Sequence, residues 1–201
     1  MNVDLPSDFV VRPVGIIHSC FPEKFGIPRQ PGLVKSATAR LEVFPPYDRD
    51  EMFKGLERFS HIWITFLFHE TFKEGWKRTV RPPWLGGRER VGVFASRSPH
   101  RPNHLGLSVV RLEKIGREGK RLFLDLAEID FLDKTPVLDV KPYLPYSDKI
   151  DEAKDGYAIP RRESGGEVTF CDEVMAFCRG YEQETGRRLC RLVSVLASVG
   201  P

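Results

Sequence analysis

The sequence predicts a mainly β protein, a small β-barrel that carries a short α-helical appendage at its C-terminus. Seven short runs rich in Val, Ile, Leu and Phe are bounded by Gly, Pro or Asp, as strands are. Several runs alternate apolar and polar residues, as Arg121 to Leu126 do, which is typical of a sheet with one wet face. None of the glycine-rich motifs that bind dinucleotides or phosphates is present. These features favour an antiparallel barrel or sandwich over a doubly wound sheet.

The barrel elements are expected in the first 147 residues. One helix pattern, at 50–59, interrupts the strands, and 116–120 has the composition of a hairpin turn. The predicted strands span residues 11–18, 37–44, 62–69, 90–95, 106–115, 121–129 and 136–142. Residues 1–147 are therefore assigned to one domain.

The character of the chain changes after Pro145. Residues 148–168 are polar and rich in Gly, which indicates a linker or an excursion. Thr169 and Asp172 then resemble a capping box, and apolar residues recur at helical spacing until Gly186. A second apolar helix is expected at 189–197. Residues 169–201 thus form a C-terminal helical segment, which must pack on the barrel or on another subunit because short helices bury little alone.

Composition indicates a soluble globular protein. Its 201 residues are 41% hydrophobic and 29% charged, and the longest apolar stretch is far shorter than a membrane span. Because the first residues do not form a signal peptide, we expect a cytoplasmic protein. The four cysteines lack zinc-ribbon or CxxC spacing, so reduced thiols are expected.

The net charge of +3 hides an uneven distribution. Residues 73–121 contain 13 Lys and Arg against 4 Glu, whereas residues 122–160 contain 9 acidic against 4 basic residues. A basic stretch of this density is typical of a surface for anionic ligands, most often nucleic acid. Folding could equally mix the two stretches on one solvated face.

Four segments have compositions that a plain core does not need. Residues 24–33 combine two prolines and two glycines with polar donors, which suits either a rigid ligand loop or a stiff crossover. Residues 60–69 form an apolar strand with His61 and His69 near its ends, and a lone histidine there is usually structural. In residues 130–146, Asp130, Asp133 and Asp139 could accept hydrogen bonds or act as a base, although Asp133 could simply cap a turn.

The remaining segment, residues 81–108, is rich in arginine on a backbone restrained by proline. Guanidinium groups there suit phosphate or carboxylate binding, and solvated loops are the alternative. If this segment binds a nucleic acid, the arginines expected to contact it are Arg81, Arg88, Arg90 and Arg101. His100 and His104 lie four apart, but the prolines beside them make a helical metal site improbable, and no metal is expected.

These segments resemble the successive motifs of the TsaA-like (YaeB, VirR or TrmO) family. The matching stretches cover residues 9–147 in collinear order and read KFGIPRQPGLVKSA, LERFSHIWITFLFH, TVRPPWLGGRERVGVFASRSPHRPNHLGLSVVRL and DFLDKTPVLDVKPYLPY. The resemblance implies a β-barrel methyltransferase that differs from the Rossmann type and uses S-adenosylmethionine. It also implies a homodimer with the cofactor site near the subunit interface.

The reaction implied by the resemblance is methyl transfer to N6 of threonylcarbamoyladenosine, next to the anticodon of threonine tRNA. The cofactor contacts that it implies are Arg29, Gln30, Pro31, Phe68, His69, Arg97, Leu107, Asp130, Phe131, Leu132 and Asp133. Alignment dominates such a displacement, so no dedicated catalytic residue is required. If a base acts, the candidates are His69, Asp133 and Asp139.

The chain departs from the family pattern in places. It has Trp84, His104 and Lys134 where the family commonly has other residues, and it ends at Pro201 without the further β-rich stretch that often follows. A shorter or truncated C-terminal domain could weaken tRNA binding. Two other functions stay open on sequence grounds: a non-catalytic RNA-binding barrel with a small-molecule pocket, and a metal-dependent hydrolase.

Overall fold

Six antiparallel strands close into a barrel. The computed structural model describes residues 8–24, 26–85, 87–156, 168–185 and 189–199. Its strands are β1 (Gly15–Ser19), β2 (Thr38–Val43), β3 (His61–Leu67), β4 (Thr79–Val80), β5 (Val91–Gly92), β6 (Leu105–Glu118), β7 (Arg121–Ala127) and β8 (Pro136–Pro142). The barrel order is β1-β2-β7-β6-β3-β8, and β8 pairs back with β1. The predicted fold class is confirmed.

Alternation along the strands fills the barrel. In β3, Ile62, Ile64 and Phe66 point inward and are at most 4% exposed, while the residues between them are half-buried on the outer face. Inward residues of β2, β6 and β7 complete the same core. Apolar burial of this kind is the main stabilising contribution, at roughly 25 cal/mol per Å².

A bulge in β8 resets its alternation. Thr65 of β3 pairs with Asp139, but the next residue, Phe66, pairs with Val137. Leu138 is the extra residue, so Val137 and Val140 both face the core whereas Asp139 faces outward. The bulge therefore keeps a carboxylate out of the barrel interior.

Three predicted elements differ from the structure. The helix predicted at 50–59 is split: α1 (Asp50–Phe53) ends before Gly55, whose φ of 92° breaks it, and a 3₁₀ turn follows at Leu56–Arg58. The strand predicted at 90–95 is mostly wrong, because only Val91–Gly92 pairs, with β4, and Val93–Ala95 forms another 3₁₀ turn. The hairpin turn predicted at 116–120 is shorter in the structure, because β6 and β7 remain paired as far as Glu118 and Arg121.

The C-terminal helices resemble the prediction. After α2 (Pro145–Asp148), α3 (Asp172–Thr185) and α4 (Leu189–Val199) form a pair, and Leu192 packs against the barrel core. Helix α3 begins at Asp172 itself, so Thr169 is not its cap. Most of the predicted linker, together with Gly186 and the chain end, lies outside the described residues.

The expectation of reduced cysteines is wrong for one pair. Cys178 of α3 and Cys190 of α4 form a disulfide, with their Cα atoms 5.8 Å apart. Their 12-residue separation gave no signal, because only the antiparallel packing of the two helices brings them together. Among the described residues, no helix is long and apolar enough to cross a membrane.

Candidate functional site

One end of the barrel gathers three loops. These loops are the segment after β1, the segment before β6 and the segment after β7, and hydrogen bonds join them in pairs. The Gly32 amide donates to the Glu128 carbonyl at 2.9 Å, and the Arg97 guanidinium donates to the Gln30 side-chain carbonyl. Predicted cofactor residues from three distant parts of the sequence therefore meet at one place.

Asp130 presents a buried and partly unpaired carboxylate at this end. Ser108, which faces inward on β6, donates its hydroxyl to Oδ2 of Asp130 at 3.1 Å. The other oxygen, Oδ1, is shielded from solvent and accepts no hydrogen bond from the described residues. Burial raises the pKa of Asp130 to about 6, opposed by the Ser108 hydroxyl, by the backbone amide of Asp130 itself and most weakly by Arg97. Such an unpaired buried acceptor is costly and suggests that a ligand donor completes it.

Arg97 and Gln30 form the polar side of the site. Arg97 is exposed on the segment before β6, and its contact with Gln30 turns a guanidinium toward the loop after β1. The neighbouring Arg29 and Pro31 are half-buried. A guanidinium beside a buried carboxylate can hold a zwitterion, whose carboxylate pairs with arginine and whose ammonium pairs with aspartate.

An aromatic cluster supports the apolar side. The ring of Phe66 contacts Phe68 and Phe131 edge-on, each with centroids 5.0 Å apart. Phe131 is only 1% exposed, so its side chain belongs to the core and cannot line an open pocket. Phe68 is half-buried, and its amide donates to the His104 carbonyl at 2.9 Å. Phe68 is thus the member that is placed to contact a ligand.

Asp133 has a structural role. Its Oδ1 accepts from the Ser19 amide at 2.9 Å, and its own amide donates to the Phe21 carbonyl at 2.8 Å. The Leu132 carbonyl accepts from the Thr135 hydroxyl at 2.7 Å. These bonds join the end of β1 to the loop after β7, which agrees with the turn-capping alternative and leaves Asp133 poorly placed as a base.

Two predicted residues lie on the outer face. Leu107 is 53% exposed there, and Asp139 is exposed two strands away, with Thr65 between them. Leu107 directly precedes the inward-facing Ser108 in the sequence, so its side chain lies on the opposite side of the sheet from Asp130. Asp139 is not brought into the cluster around Asp130.

His69, His100 and His104 differ in exposure and in what they contact. His69 starts a 3₁₀ turn after Phe68, and its ring is 22% exposed and 3.7 Å from Glu70. His104 shares a hydrogen bond with the Thr71 hydroxyl at 3.0 Å, and His100 bonds Glu74 at 2.7 Å and lowers the pKa of that carboxyl. His100 and His104 therefore stiffen the segment before β6.

Three of the four arginines predicted to contact RNA are exposed to solvent. Arg81, Arg88 and Arg90 are exposed around the small β4–β5 ladder. Arg101 is half-buried, and it donates to the Ser96 carbonyl at 2.8 Å, which makes it a brace within its own loop. Within the described ranges, no group of three or more metal-ligating side chains converges.

Sequence reasoning missed Ser108. The available signal was a hydroxyl on the inward face of β6, between the buried Gly106 and Val110. Two open surface clefts lie at the other barrel end, around Phe53. We place the candidate site at Asp130 because a buried oxygen without a hydrogen-bond partner lies there near a guanidinium, whereas no residue lining the two clefts has such an oxygen.

Fold and site together define an antiparallel β-barrel protein with an aspartate–arginine site at one barrel end. The chain belongs to the tRNA-methyltransferase O family, because the model of that family's N-terminal domain matches residues 16–149. The family membership expected from the motifs is thereby confirmed.

Relatives and solved structures agree. The chain is 46% identical over 168 residues to a tRNA (adenine(37)-N6)-methyltransferase of Escherichia coli, covering 84% of this chain and 72% of the relative. It is 53% identical over 148 residues to a Pseudomonas aeruginosa protein provisionally named an S-adenosylmethionine-dependent methyltransferase, covering 74% and 62%. A crystal structure of TrmO from P. aeruginosa superposes with a TM-score of 0.80 at 40% identity, covering 99% of this chain and 84% of that one.

Proposed function

We propose that this protein transfers the methyl group of S-adenosylmethionine to N6 of adenosine 37 in tRNA. Relatives from Escherichia coli and Mus musculus are named tRNA (adenine(37)-N6)-methyltransferase. The observation that carries the proposal is the buried, unpaired Oδ1 of Asp130 beside Arg97 in a family-typical barrel. The finer substrate, threonylcarbamoyladenosine of threonine tRNA, rests on the motif resemblance.

The site fits the cofactor's functional groups. S-adenosylmethionine supplies a methyl group already activated on a sulfonium, together with an ammonium, a carboxylate, a ribose diol and an adenine. Asp130 would accept a hydrogen bond from a donor of the cofactor, and Arg97 would pair with its carboxylate. Phe68 and Leu107 would supply apolar walls. The protein's main contribution is alignment, since the reacting carbon needs no further activation.

Methylation of N6 also releases a proton from that nitrogen, which a base near the site could accept. Of the three candidate bases, His69 is the best placed, because it adjoins Phe68 and keeps a partly exposed ring. Asp133 is engaged by the Ser19 amide, and Asp139 faces away. We therefore propose His69 as the residue to test for base function.

Replacing Arg97 tests the proposal. The assay is transfer of a tritiated methyl group from S-adenosylmethionine to tRNA. We expect Arg97→Ala to lower kcat/KM for the cofactor by about 10- to 100-fold, since a charge-assisted hydrogen bond contributes roughly 1.5–3 kcal/mol. Arg121→Ala, at an arginine that is exposed and pairs only at 3.5 Å with Glu42, is the matched control. Cofactor and tRNA binding without any transfer by the wild type would instead favour the non-catalytic RNA-binding module.

We also propose a homodimer whose interface covers the outer face at Leu107. Leu107 and Leu105 are 53% and 41% exposed on β6, and Leu105 pairs with Leu67 of β3. Contiguous exposed apolar residues are typical of an interface. A second subunit there would explain how a cofactor contact can lie on the outside of the barrel. The tRNA substrate supports a cytoplasmic location as part of the same proposal.

The dimer proposal predicts the effect of a charge at that face. We expect Leu107→Asp to convert the dimer to a monomer in analytical ultracentrifugation and to weaken cofactor binding at least 10-fold, because an interface core excludes unpaired charge. Met52→Asp, at a methionine that is 61% exposed beside the opposite barrel end, is expected to change neither. A wild-type protein that sediments as a monomer would contradict the proposal.

A further inference from the structure

Two large aromatic side chains stand exposed at one end of the β4–β5 ladder. Trp76 is 58% exposed and Phe94 is 77% exposed. The Val93 amide donates to the Arg78 carbonyl at 3.1 Å, which extends the ladder by one pair beyond Thr79 and Gly92. Trp76 lies two residues before Arg78, and Phe94 follows Val93, so both rings extend from the same end of the ladder.

The backbone that carries the two rings is held firmly. On either side of Trp76, the Gly75 amide donates to the Phe72 carbonyl at 3.3 Å and the Lys77 amide to the His100 carbonyl at 2.9 Å. Phe94 sits in a 3₁₀ turn that is anchored by the buried Val93, whose carbonyl accepts the Ser96 hydroxyl at 2.8 Å. The rings are therefore presented to solvent by ordered backbone, so little entropy is lost when a partner stacks on them.

The surroundings of the two rings are strongly basic. Arg78, Arg81, Arg88 and Arg90 are exposed, and in the described ranges none of the four takes part in an ion pair. Two carboxylates belong to this stretch of the chain: Glu74 is already engaged by His100, Lys24 and Lys77, and Glu89 offsets only one of the four arginine charges. The surface formed by Trp76, Phe94 and these four arginines thus keeps its positive charge available.

Exposed aromatic rings among unpaired cations match the requirements of single-stranded nucleic acid. Phosphates pair with the arginines, and unpaired bases stack on the rings. A second copy of this chain fits less well, because a two-fold contact through this surface would set the arginines of both copies against each other. Arg97 of the cofactor site lies three residues after Phe94, so RNA held here is close to the reacting centre.

We propose that Trp76 and Phe94 are stacking residues for the unpaired loop bases that flank the target adenosine. This inference rests on the proposed function and assigns to it a substrate-positioning platform. Stacking on both rings would hold the loop open and leave the target base free to enter the site. The flanking arginines would fix the register of the backbone, because phosphate contacts position a nucleic acid without reading its sequence.

Alanine and ring-preserving variants test the platform. We expect Trp76→Ala and Phe94→Ala each to weaken binding of a fluorescein-labelled anticodon stem-loop by about 5- to 100-fold in fluorescence anisotropy. Trp76→Phe and Phe94→Tyr should retain most of the affinity, since both keep a ring. The KM for S-adenosylmethionine should stay within about two-fold in all four. Tyr146→Ala removes a ring that is even more exposed, 87% on α2, and is the matched control.

A modified RNA makes the test specific. When the two nucleotides beside the target adenosine are replaced by abasic residues, the alanine variants should bind no more weakly than the wild type. Equal stem-loop affinity of the wild type and both alanine variants would overturn the inference, as would a change of oligomeric state in Phe94→Ala. If the wild type methylates no tRNA, the proposed function fails separately, and the binding comparison still decides the stacking role.

Discussion

Asp130→Asn is expected to weaken S-adenosylmethionine binding by about 10- to 100-fold at pH 8. The Oδ1 atom of Asp130 is the buried acceptor without a partner, and a hydrogen bond to a charged group contributes roughly 1.5–3 kcal/mol. Asparagine retains the shape and an acceptor oxygen but removes the charge. Isothermal titration calorimetry measures the loss, and Asp151→Asn, at a carboxylate that is 70% exposed, is the control.

The pH dependence of binding gives a second signature of the same carboxyl. Burial raises the pKa of Asp130 to about 6. Below that pH the wild-type carboxyl is protonated, so cofactor affinity should fall by up to about ten-fold for each further pH unit, whereas Asp130→Asn should show no such dependence. Equal pH profiles of the wild type and Asp130→Asn would contradict the assignment.

Without cofactor, the free energy of unfolding should decrease as pH rises, whereas cofactor affinity should increase. The folded pKa of Asp130 lies above the unfolded value, so the unfolded chain releases this proton first and stability is lost as pH rises from about 4 to about 6. Asp130→Asn avoids that cost and should be more stable than the wild type at pH 8, by up to about 3 kcal/mol. Urea titrations at pH 4 and pH 8 therefore separate lost binding from misfolding.

The barrel could be predicted because its strands carry local signals. Residues 136–142 were predicted as a strand and form β8 with the same bounds, between a preceding turn and a closing proline. Segment 90–95 is equally rich in apolar residues, yet after one further ladder bond, from the Val93 amide to the Arg78 carbonyl, the chain enters a 3₁₀ turn at Val93–Ala95. Pairing is a property of the whole sheet, which a local pattern does not contain.

The sequence could indicate which residues lie at the candidate site but not what each of them contacts. Asp130 and Asp133 look alike in the sequence, three residues apart in one loop. In the structure, the Ser19 amide donates to Asp133, whereas the Ser108 hydroxyl donates to Oδ2 of Asp130 and its Oδ1 has no partner among the described residues. The difference depends on partners that are distant in the chain: Ser19 is 114 residues from Asp133, and Ser108 is 22 residues from Asp130. The spacing within residues 130–133 therefore could not show it.

Gly106→Ala is expected to destabilise the protein by about 1–3 kcal/mol and to weaken cofactor binding as well. Gly106 of β6 pairs with Phe66 of β3, and the Phe66 ring lies directly over the glycine. A Cβ atom at Gly106 would come within 3 Å of three ring carbons, so the ring must move. Phe66 cannot move alone, because its ring contacts Phe68 and Phe131. Phe68 directly precedes His69 in the chain, and Phe131 directly follows Asp130.

A matched substitution at the other end of β6 distinguishes site effects from general destabilisation. Gly116 meets the ring of Phe123 in the same way, at 2.7 Å from the added Cβ, but lies about 30 Å along the strand from Gly106. Gly116→Ala should therefore lower the melting temperature comparably, by roughly 2–8 °C, while leaving cofactor affinity unchanged.

The double variant Gly106→Ala with Phe66→Leu should recover part of the lost stability, because the smaller side chain removes the collision. Equal cofactor affinity in Gly106→Ala and Gly116→Ala would mean that the aromatic cluster does not position the site. The close approach of Phe66 to a glycine would then serve barrel packing alone.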